Sequence, residues 1–403
     1  MRPVQLLVFN AGSSSLKCDL LEMTGREGRI VLQASYADAA DGSGQFICQA
    51  SPVCSVLPAP VESLAAAAAA LLHWLADASI HGKDLLAGVS ATVHRVVHGG
   101  ESFRQTTRLS VSDLKTLDTL SNLAPLHNPP ALAVMRVVRD VVGADQPLIG
   151  VFDTAYYAHL SEAAYRYAVP SYWVTDLGVR RYGFHGMAHQ YLCSAARERL
   201  THRPHERIIS LQLGRGCSVT ATHQGRAIAT SMGFTPLEGL VMGTRSGDVD
   251  PGALLYVMER TGMSAQHMRE ELNSRSGLLG LSGHNADVRE LLAQEKIGHA
   301  GATLALDVFC RRIRHYIGAY ITELQGVDAI VFGGGIGENS PDIRQRILGH
   351  FRWMGIQLDE VANAACRGVA ASVAASTSVA AIEVVPVSEA MVMATEAATL
   401  LGA

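Results

Sequence analysis

Leu6-Leu7-Val8-Phe9-Asn10-Ala11-Gly12-Ser13-Ser14-Ser15-Leu16-Lys17 reads as a strand, a polar tip and the start of a returning strand. Apolar residues on both sides bury the strands, while the tip offers small residues, hydroxyls, an amide and one cation. Small residues let backbone N–H groups approach a ligand closely, and hydroxyls with Lys17 suit phosphate oxygens or a metal. Taken alone, a Ser-rich turn explains the stretch better. A second hairpin of the same plan changes that: Ile208-Ile209-Ser210-Leu211-Gln212-Leu213-Gly214-Arg215-Gly216-Cys217-Ser218-Val219-Thr220. Setting Gly12 against Gly214 brings strand, tip and return strand into register. Two phosphate-type hairpins in two halves predict a duplicated domain that clamps a nucleotide between its copies.

The rest of the chain is consistent with two α/β domains. At 403 residues it exceeds one ordinary core. Its 48% hydrophobic content is that of a globular protein, and 17% charged residues is below the usual ~25%. A net charge of -4 argues against a nucleic-acid partner. Seven cysteines without a CxxC pair indicate neither a disulfide framework nor a zinc knuckle, and they fit a reducing cytoplasm. Only Arg2 precedes the first apolar strand, which meets Asn10 too early for a signal-peptide core. The most apolar stretch, Leu64 to Ala76, is broken by His73 and closed by Asp77. It falls short of the ~20 residues a bilayer needs and reads as an Ala-rich core helix, so no membrane partner is expected.

Strand-like and helix-like patterns alternate throughout. Ser90 to Val97 is β-branched and ends at Gly99-Gly100. Asn128-Pro129 reads as an N-cap with proline at the first helical position, followed by Leu132, Met135 and Val138 at helical spacing. Pro147 to Phe152 is a buried strand ending in Asp153, where the first half stops. Asp328 to Phe332 is another strand, emptying into Gly333-Gly334-Gly335-Ile336-Gly337-Glu338-Asn339, after which Ser340-Pro341 caps the next helix.

Several residues could carry chemistry. Alternation puts Arg95 and Val97 on one strand face, a fixed cation beside a small apolar wall, which suits a short carboxylate with an aliphatic tail. A structural acid paired with Arg95 explains it equally well. His94 and His98 stand four apart, but on a strand and without the glutamate of a zinc helix, so a metal there is not expected. Arg245, between Gly243 and Gly247, is either a second cation on a close-approach loop or part of a surface loop. Asp248 and Asp250 lack calcium-loop spacing. The Gly333–Asn339 run follows a strand and opens a helix, where a ribose or phosphate could sit, but it lacks the full dinucleotide fingerprint. His185 sits on a Gly-flanked turn, and its role depends on its neighbours.

Together these stretches match something specific. Asn10 to Lys17, His94-Arg95-Val96-Val97-His98-Gly99-Gly100-Glu101 and Ala124-Pro125-Leu126-His127-Asn128-Pro129-Pro130 resemble the acetate kinase family. So do Val151-Phe152-Asp153-Thr154-Ala155, Tyr182-Gly183-Phe184-His185-Gly186, Thr230 to Asp248 and Gly333 to Asn339. The resemblance runs from about residue 6 to Glu389.

It implies an α/β fold of duplicated ribonuclease-H-like domains around a nucleotide cleft, as in the actin-like ATPase superfamily. The implied domains are residues 1–153 plus 389–403, and a nucleotide-binding domain of 154–388. The implied activity is reversible phosphoryl transfer from ATP to acetate, giving ADP and acetyl phosphate. It implies Mg²⁺ or Mn²⁺ as the cation and a homodimer. By similarity Asn10 and Glu389 hold the metal, and Lys17 lies near the phosphates. Arg95 binds the carboxylate or the phosphoryl group, Asp153 is an essential carboxylate, and His185 and Arg245 stabilise the transition state. Val97, Leu126, Phe184 and Pro236 wall the methyl pocket. Asp287, Val288 and Arg289, with Gly335, Ile336, Gly337, Glu338 and Asn339, contact adenosine. The second hairpin, Gln212, Leu213, Gly214, Arg215 and Gly216, faces the nucleotide.

Three departures stand out. The family's usual His-Leu-Gly-Asn-Gly-Ser-Ser is Gln212-Leu213-Gly214-Arg215-Gly216-Cys217-Ser218 here. Its Thr-Ser after Phe-His-Gly is Met187-Ala188, and its paired glutamates are Glu389 and Ala390. Two other readings therefore stand beside an acetate kinase. One is a propionate kinase, which the small Val97 disfavours. The other is a nucleotide-binding homologue with catalysis impaired by Gln212 and Arg215.

Overall fold

Alternating strand and helix patterns resolve into two mixed sheets, each built around one central strand. The computed structural model describes residues 3–12, 15–38, 44–50, 53–59, 63–77, 79–80, 83–201 and 206–403. Ser13 and Ser14 of the first hairpin tip, and Arg2, lie outside the described residues. The chain divides into two compact units, Met1–Ala158 with Ser388–Ala403, and His159–Val387.

The first unit's sheet contains β1 (Val4–Ala11), β2 (Ser15–Thr24), β3 (Glu27–Asp38), β4 (Gly44–Ala50) and β5 (Val53–Ala59). It is completed by β6 (Val89–Val96), β7 (Thr107–Arg108) and β8 (Leu148–Phe152). Their order is β5-β4-β3-β2-β1-β6-β8-β7. β1 pairs antiparallel with β2 and parallel with β6, which in turn pairs parallel with β8. One face is covered by helices α1 (Leu64–Asp77) and α2 (Asn128–Val142). Leu71, Leu72, Val134 and Val138 join Leu7, Phe9 and Leu16 in a dry core. The C-terminal helix, Glu389–Leu401, packs on β1, β2 and β6. Asn10 follows Phe9, so alternation turns its side chain away from α1 and α2.

The second unit repeats the plan. Its strands are β9 (Arg207–Leu213), β10 (Cys217–His223), β11 (Arg226–Thr230), β12 (Ala329–Gly333), β13 (Ala371–Ser372) and β14 (Ala381–Val384), in the order β11-β10-β9-β12-β14-β13. β9 pairs antiparallel with β10 and parallel with β12, and β12 pairs parallel with β14. Central strand, antiparallel meander on one side and two parallel strands on the other are thus common to both units. Helix α3 (Gly186–Arg199) packs Leu192, Cys193 and Ala196 against Ile208, Ala329 and Val331. The long helix α6 (Ala300–Glu323) also packs on β9 and β10. It follows α4 (Pro251–Thr261) and α5 (Val288–Lys296), and α7 (Gly334–Asn339) and α8 (Pro341–Leu348) come after β12. Among the described residues no helix is long and apolar enough to cross a membrane.

Two expected caps take a different form. The N-cap of α2 is His127, and Asn128 is inside the helix. The fully buried Asn128 amide instead accepts from the His98 N–H at 3.2 Å and donates to the His98 carbonyl at 2.9 Å, satisfying both polar groups of a loop that has left the sheet. Ser340 stands at the cap position of α8, with Pro341 at the start, but its hydroxyl makes no capping bond. The helix begins on proline's preset φ without it.

Candidate active site

Within the first unit, the carboxyl ends of three parallel strands meet, where ladder bonding stops and polar groups come free to face ligands. Asn10 is near the end of β1, Arg95 near the end of β6, and Asp153 directly follows β8. The guanidinium of Arg95 grips Asp153 with two nitrogens: Nε donates to Oδ1 at 3.2 Å and Nη2 to Oδ2 at 2.7 Å. Its Nη1 donates to Glu389 Oε2 at 2.9 Å and to Asn10 Oδ1 at 3.3 Å. Asn10 Nδ2 closes the ring by donating to Glu389 Oε2 at 2.8 Å. Burial lowers the affinity of Arg95 for its proton, but the carboxylates of Asp153 and Glu389 outweigh it and hold the guanidinium above its usual range. Arg95, Asp153, Asn10 and Glu389 therefore form one knot. Lys17 is the ladder partner of Asn10, so both side chains share a sheet face, and Lys17 is exposed.

Of the expected wall residues in this unit, Val97 is buried while Leu126 is 54% exposed. The two nearby histidines are structural. His94 stacks on Phe9 with ring centres 5.0 Å apart, and burial pushes its pKa down to about 3. The His98 ring accepts from the Gly100 N–H.

Within the second unit, His185 is the N-cap of α3 and adopts left-handed backbone angles (φ 55, ψ 30), a conformation that costs a non-glycine residue about 1–2 kcal/mol. Its Nδ1 is 2.9 Å from Ser218 Oγ on β10. Gly216, lacking a side chain, lets the hairpin tip approach it closely. A Cβ there would stand 3.3 Å from His185 Nε2 and 3.7 Å from Arg245 Nη1. The Arg215 carbonyl accepts from the Gly243 N–H at 3.2 Å, tying the hairpin tip to the Arg245 loop. Gly277 lies behind that loop at φ +64, where a side chain would run into the backbone of Met242 and Arg245.

Arg245 differs from Arg95 in one respect. Its Nη1 donates to the Pro236 carbonyl at 3.2 Å and approaches Met242 Sδ at 3.8 Å, and among the described residues no carboxylate pairs with it. Burial accordingly lowers its pKa, opposed only by Cys217. A half-buried cation lacking a counter-charge is a place for an anion. Cys217, where the family has a hydroxyl, is a buried thiol pushed up to about 12 by desolvation, and it donates to the Gly214 carbonyl at 3.2 Å.

The expected nucleotide residues fall into two groups. Gln212 pairs with Ser218 on β10 and with Gly333 on β12, so the second hairpin and α7 adjoin at the same end of the sheet. Arg215 at the tip is exposed, whereas the Gln212 Oε1 is buried with no donor. Asp287 caps α5 and is gripped by Arg289 Nε and Nη2 at 3.0 and 2.6 Å, ahead of the buried Val288. Phe184 is fully buried and Pro236 half-buried.

Four residues have supporting roles that the sequence did not reveal, although Asp248 was weighed there as a calcium ligand. Arg344, wholly buried, donates to the carbonyls of Gly337, Glu338, Asn363 and Cys366 and to Asn363 Oδ1, anchoring α7. Asp248 accepts from the Gly239 N–H, Arg312 and Tyr316, which pins the Arg245 loop, while Asp250 caps α4. Glu238, held by Arg181 and Tyr167, secures the segment carrying Pro236. His189 lies behind His185 and Ser218. Only His189 had a local signal, since it is spaced one helical turn from His185.

The model of the Acetokinase family matches residues 5–395. An acetate kinase of Carboxydothermus hydrogenoformans is 39% identical over 401 residues, 99% of this chain and 99% of that protein. Among solved structures, Porphyromonas gingivalis acetate kinase superposes with a TM-score of 0.89 at 36% identity, over 99% of this chain and 100% of the other. A propionate kinase from Francisella tularensis gives 0.88 at 31% identity, over 98% of each chain.

The two arginines should respond oppositely to truncation. Arg95→Ala strands the buried Asp153 carboxylate and should cost about 3–5 kcal/mol of stability. Arg245→Ala strands no carboxylate, so its unfolding midpoint should stay at or above the parent's, while stabilisation by added ATP weakens. Denaturant melts with and without ATP read both, and an Arg245→Ala protein as unstable as Arg95→Ala would refute the contrast.

Proposed function

Because the chain belongs to the Acetokinase family, we propose that it moves the γ-phosphoryl group reversibly between ATP and acetate through the residues described above. It is a phosphotransferase with a carboxyl group as acceptor. The observation that carries the assignment of the site is Arg245: a guanidinium without a carboxylate, beside His185 and a glycine-flanked hairpin. In the forward direction an acetate oxygen forms a bond to Pγ as the bond from Pγ to the bridging oxygen of ADP breaks. A carboxylate is already a nucleophile, so no base is needed, and the barrier is the gathering of negative charge. His185 and Arg245 supply donors for the equatorial oxygens.

Arg95 takes the acid's carboxylate or the moving phosphoryl group. Four of its five N–H groups are engaged within the knot, leaving one on Nη2. Asp153, gripped through two nitrogens of Arg95, acts as a positioning residue rather than as a proton acceptor. Asn10 and Glu389 are the proposed holders of Mg²⁺ or Mn²⁺. Their ligand atoms would be the Asn10 amide oxygen and the Glu389 carboxylate, on side chains held together by the Asn10 Nδ2–Glu389 Oε2 hydrogen bond and both contacted by Arg95 Nη1. Oxygen ligands of this kind fit a hard cation that keeps several waters and takes other ligands from phosphates. An ion bound there would neutralise phosphate charge. Lys17, Gln212, Leu213, Gly214, Arg215 and Gly216 serve the phosphates, and Gly335–Asn339 with Asp287–Arg289 the adenosine. Val97, Leu126, Phe184 and Pro236 bound the methyl group.

A homodimer is part of the proposal. Helix α4 has no buried residue, with Leu255 and Tyr256 each 61% exposed, and Tyr172 and Trp173 are also exposed in the same unit. A helix this apolar is stable in water only when something covers it, and a second copy of the chain is the proposed cover. The cytoplasm is the proposed location, because the six described cysteines are all free thiols. Recovery of the chain in a secreted fraction would refute that.

Purified protein given ATP, Mg²⁺ and acetate should form acyl phosphate, trapped as the hydroxamate, and chelation of the metal should stop it; no product with any short acid sinks the reading. Val97→Ala should improve kcat/KM for propionate relative to acetate, since one methylene is worth about 1–3 kcal/mol. An unchanged ratio removes Val97 from the pocket. Arg215→Ala loses one charge-assisted hydrogen bond, about 1.5–3 kcal/mol, and should raise the ATP KM roughly tenfold or more, with Arg215→Asn retaining activity. An unchanged KM makes Arg215 a bystander. Sedimentation should give a dimer, and Leu255→Glu with Tyr256→Glu a monomer; a monomeric parent overturns the dimer.

A further inference from the structure

His189 has been given no part in binding, yet one hydroxyl links it to His185. Ser218 Oγ is 2.9 Å from His185 Nδ1 and 2.7 Å from His189 Nε2, and His189 Nδ1 is 2.8 Å from Ser210 Oγ. Ser210, Ser218 and His189 are all fully buried. Burial pushes the His189 pKa down to about 3, so its ring is neutral and carries one proton. Each link in this chain then holds one proton, and two directions are self-consistent.

In the outward direction His185 Nδ1–H donates to Ser218, the Ser218 hydroxyl to His189 Nε2, and His189 Nδ1–H to Ser210. The Ser210 hydroxyl proton is then left without an acceptor, because Ser210 Oγ has no further partner among the described residues. A buried donor without an acceptor is the more costly failure, whereas an unused hydroxyl lone pair is tolerated. In the inward direction Ser210 donates to His189 Nδ1, His189 Nε2–H to Ser218, and the Ser218 hydroxyl to His185 Nδ1. Every proton is then used.

We propose that Ser210, His189 and Ser218 form a directed relay that keeps His185 Nδ1 free of a proton, so that the ring's single proton stands on Nε2. That nitrogen is the one packed against Gly216 and near Arg245. The inference rests on the kinase reading for the identity of the acceptor, a phosphoryl oxygen. It adds that His185 meets this oxygen as a neutral N–H donor of fixed tautomer, with Ser218, His189 and Ser210 as positioning residues.

The test is nitrogen-15 NMR of the full chain with labelled histidine, with the His185 signals assigned by their loss in His185→Asn. At neutral pH the parent should show His185 unprotonated at Nδ1 and protonated at Nε2, and His189 protonated at Nε2. A proton on His185 Nδ1 overturns the relay. Ser218→Ala should give His185 a mixture of tautomers and lower kcat by roughly tenfold to a hundredfold at an unchanged ATP KM, as loss of an orienting partner does elsewhere. Ser218→Thr, which keeps the hydroxyl, should restore both. Parent-like kcat in Ser218→Ala also overturns the proposal. The parent spectrum judges the relay even where a variant fails to fold. It also separates the two claims: absence of acyl phosphate formation by the parent condemns the kinase reading alone, and a reversed tautomer condemns the relay alone.

Discussion

Two carboxylates pair with the half-buried guanidinium of Arg95, and that pairing organises the first unit. Its partners come from residues 10, 153 and 389, so two strand ends, the turn after β8 and the chain's last helix are fastened to one side chain. Hydrophobic packing alone would hold the C-terminal helix on the sheet without fixing how far along it lies. The bond from Arg95 to Glu389 fixes that position, because a carboxylate displaced by one turn would leave a charge unpaired away from water. The same knot arrays oxygen donors and a planar cation at the carboxyl ends of parallel strands.

The second unit treats its charge in the opposite way. Arg245 sits on a loop whose shape is set by others: Asp248 ties it to Arg312 and Tyr316, and the Glu238 cluster secures the segment before it. Because the clamps carry the structural burden, the guanidinium itself is left with a carbonyl and a sulfur for company. Arg344 does for α7 what these clamps do for the Arg245 loop. It spends its donors on backbone carbonyls and an amide, holding a six-residue helix that contains three glycines. In this unit rigidity comes from residues given no part in binding, and among the described residues Arg245 engages only its Nη1.

The hairpins that suggested a duplication pair as anticipated, with small differences that matter. In the first, Ala11 pairs with Leu16; in the second, Leu213 pairs with Cys217, leaving residues 214–216 at the tip. The short second tip brings Gly216 against His185 and lets the Arg215 carbonyl hold the Arg245 loop. Its side chain is thereby turned outward, which is why a residue as large as arginine fits where the family has asparagine.

Strand and helix patterns, the paired hairpins and the motif matches were legible in the linear chain, because hydrophobic period and glycine placement are local properties. The family and its α/β architecture followed from them. The candidate residues Arg95, Asp153, Asn10 and Glu389 were legible only as separate matches. That they make one knot depends on contacts spanning up to 379 positions, which no local pattern encodes. Asn128 looked like a cap because local rules favour it there, and tertiary structure reassigned its amide to two buried groups of His98. Arg344 and Ser210 carried no signal at all, since an arginine on an amphipathic helix and a serine in a strand are ordinary until their surroundings are known. Whether Arg95 or Arg245 had a carboxylate partner was equally open in the sequence. Tertiary structure decided it, because pairing is a matter of which side chains burial brings within hydrogen-bonding distance.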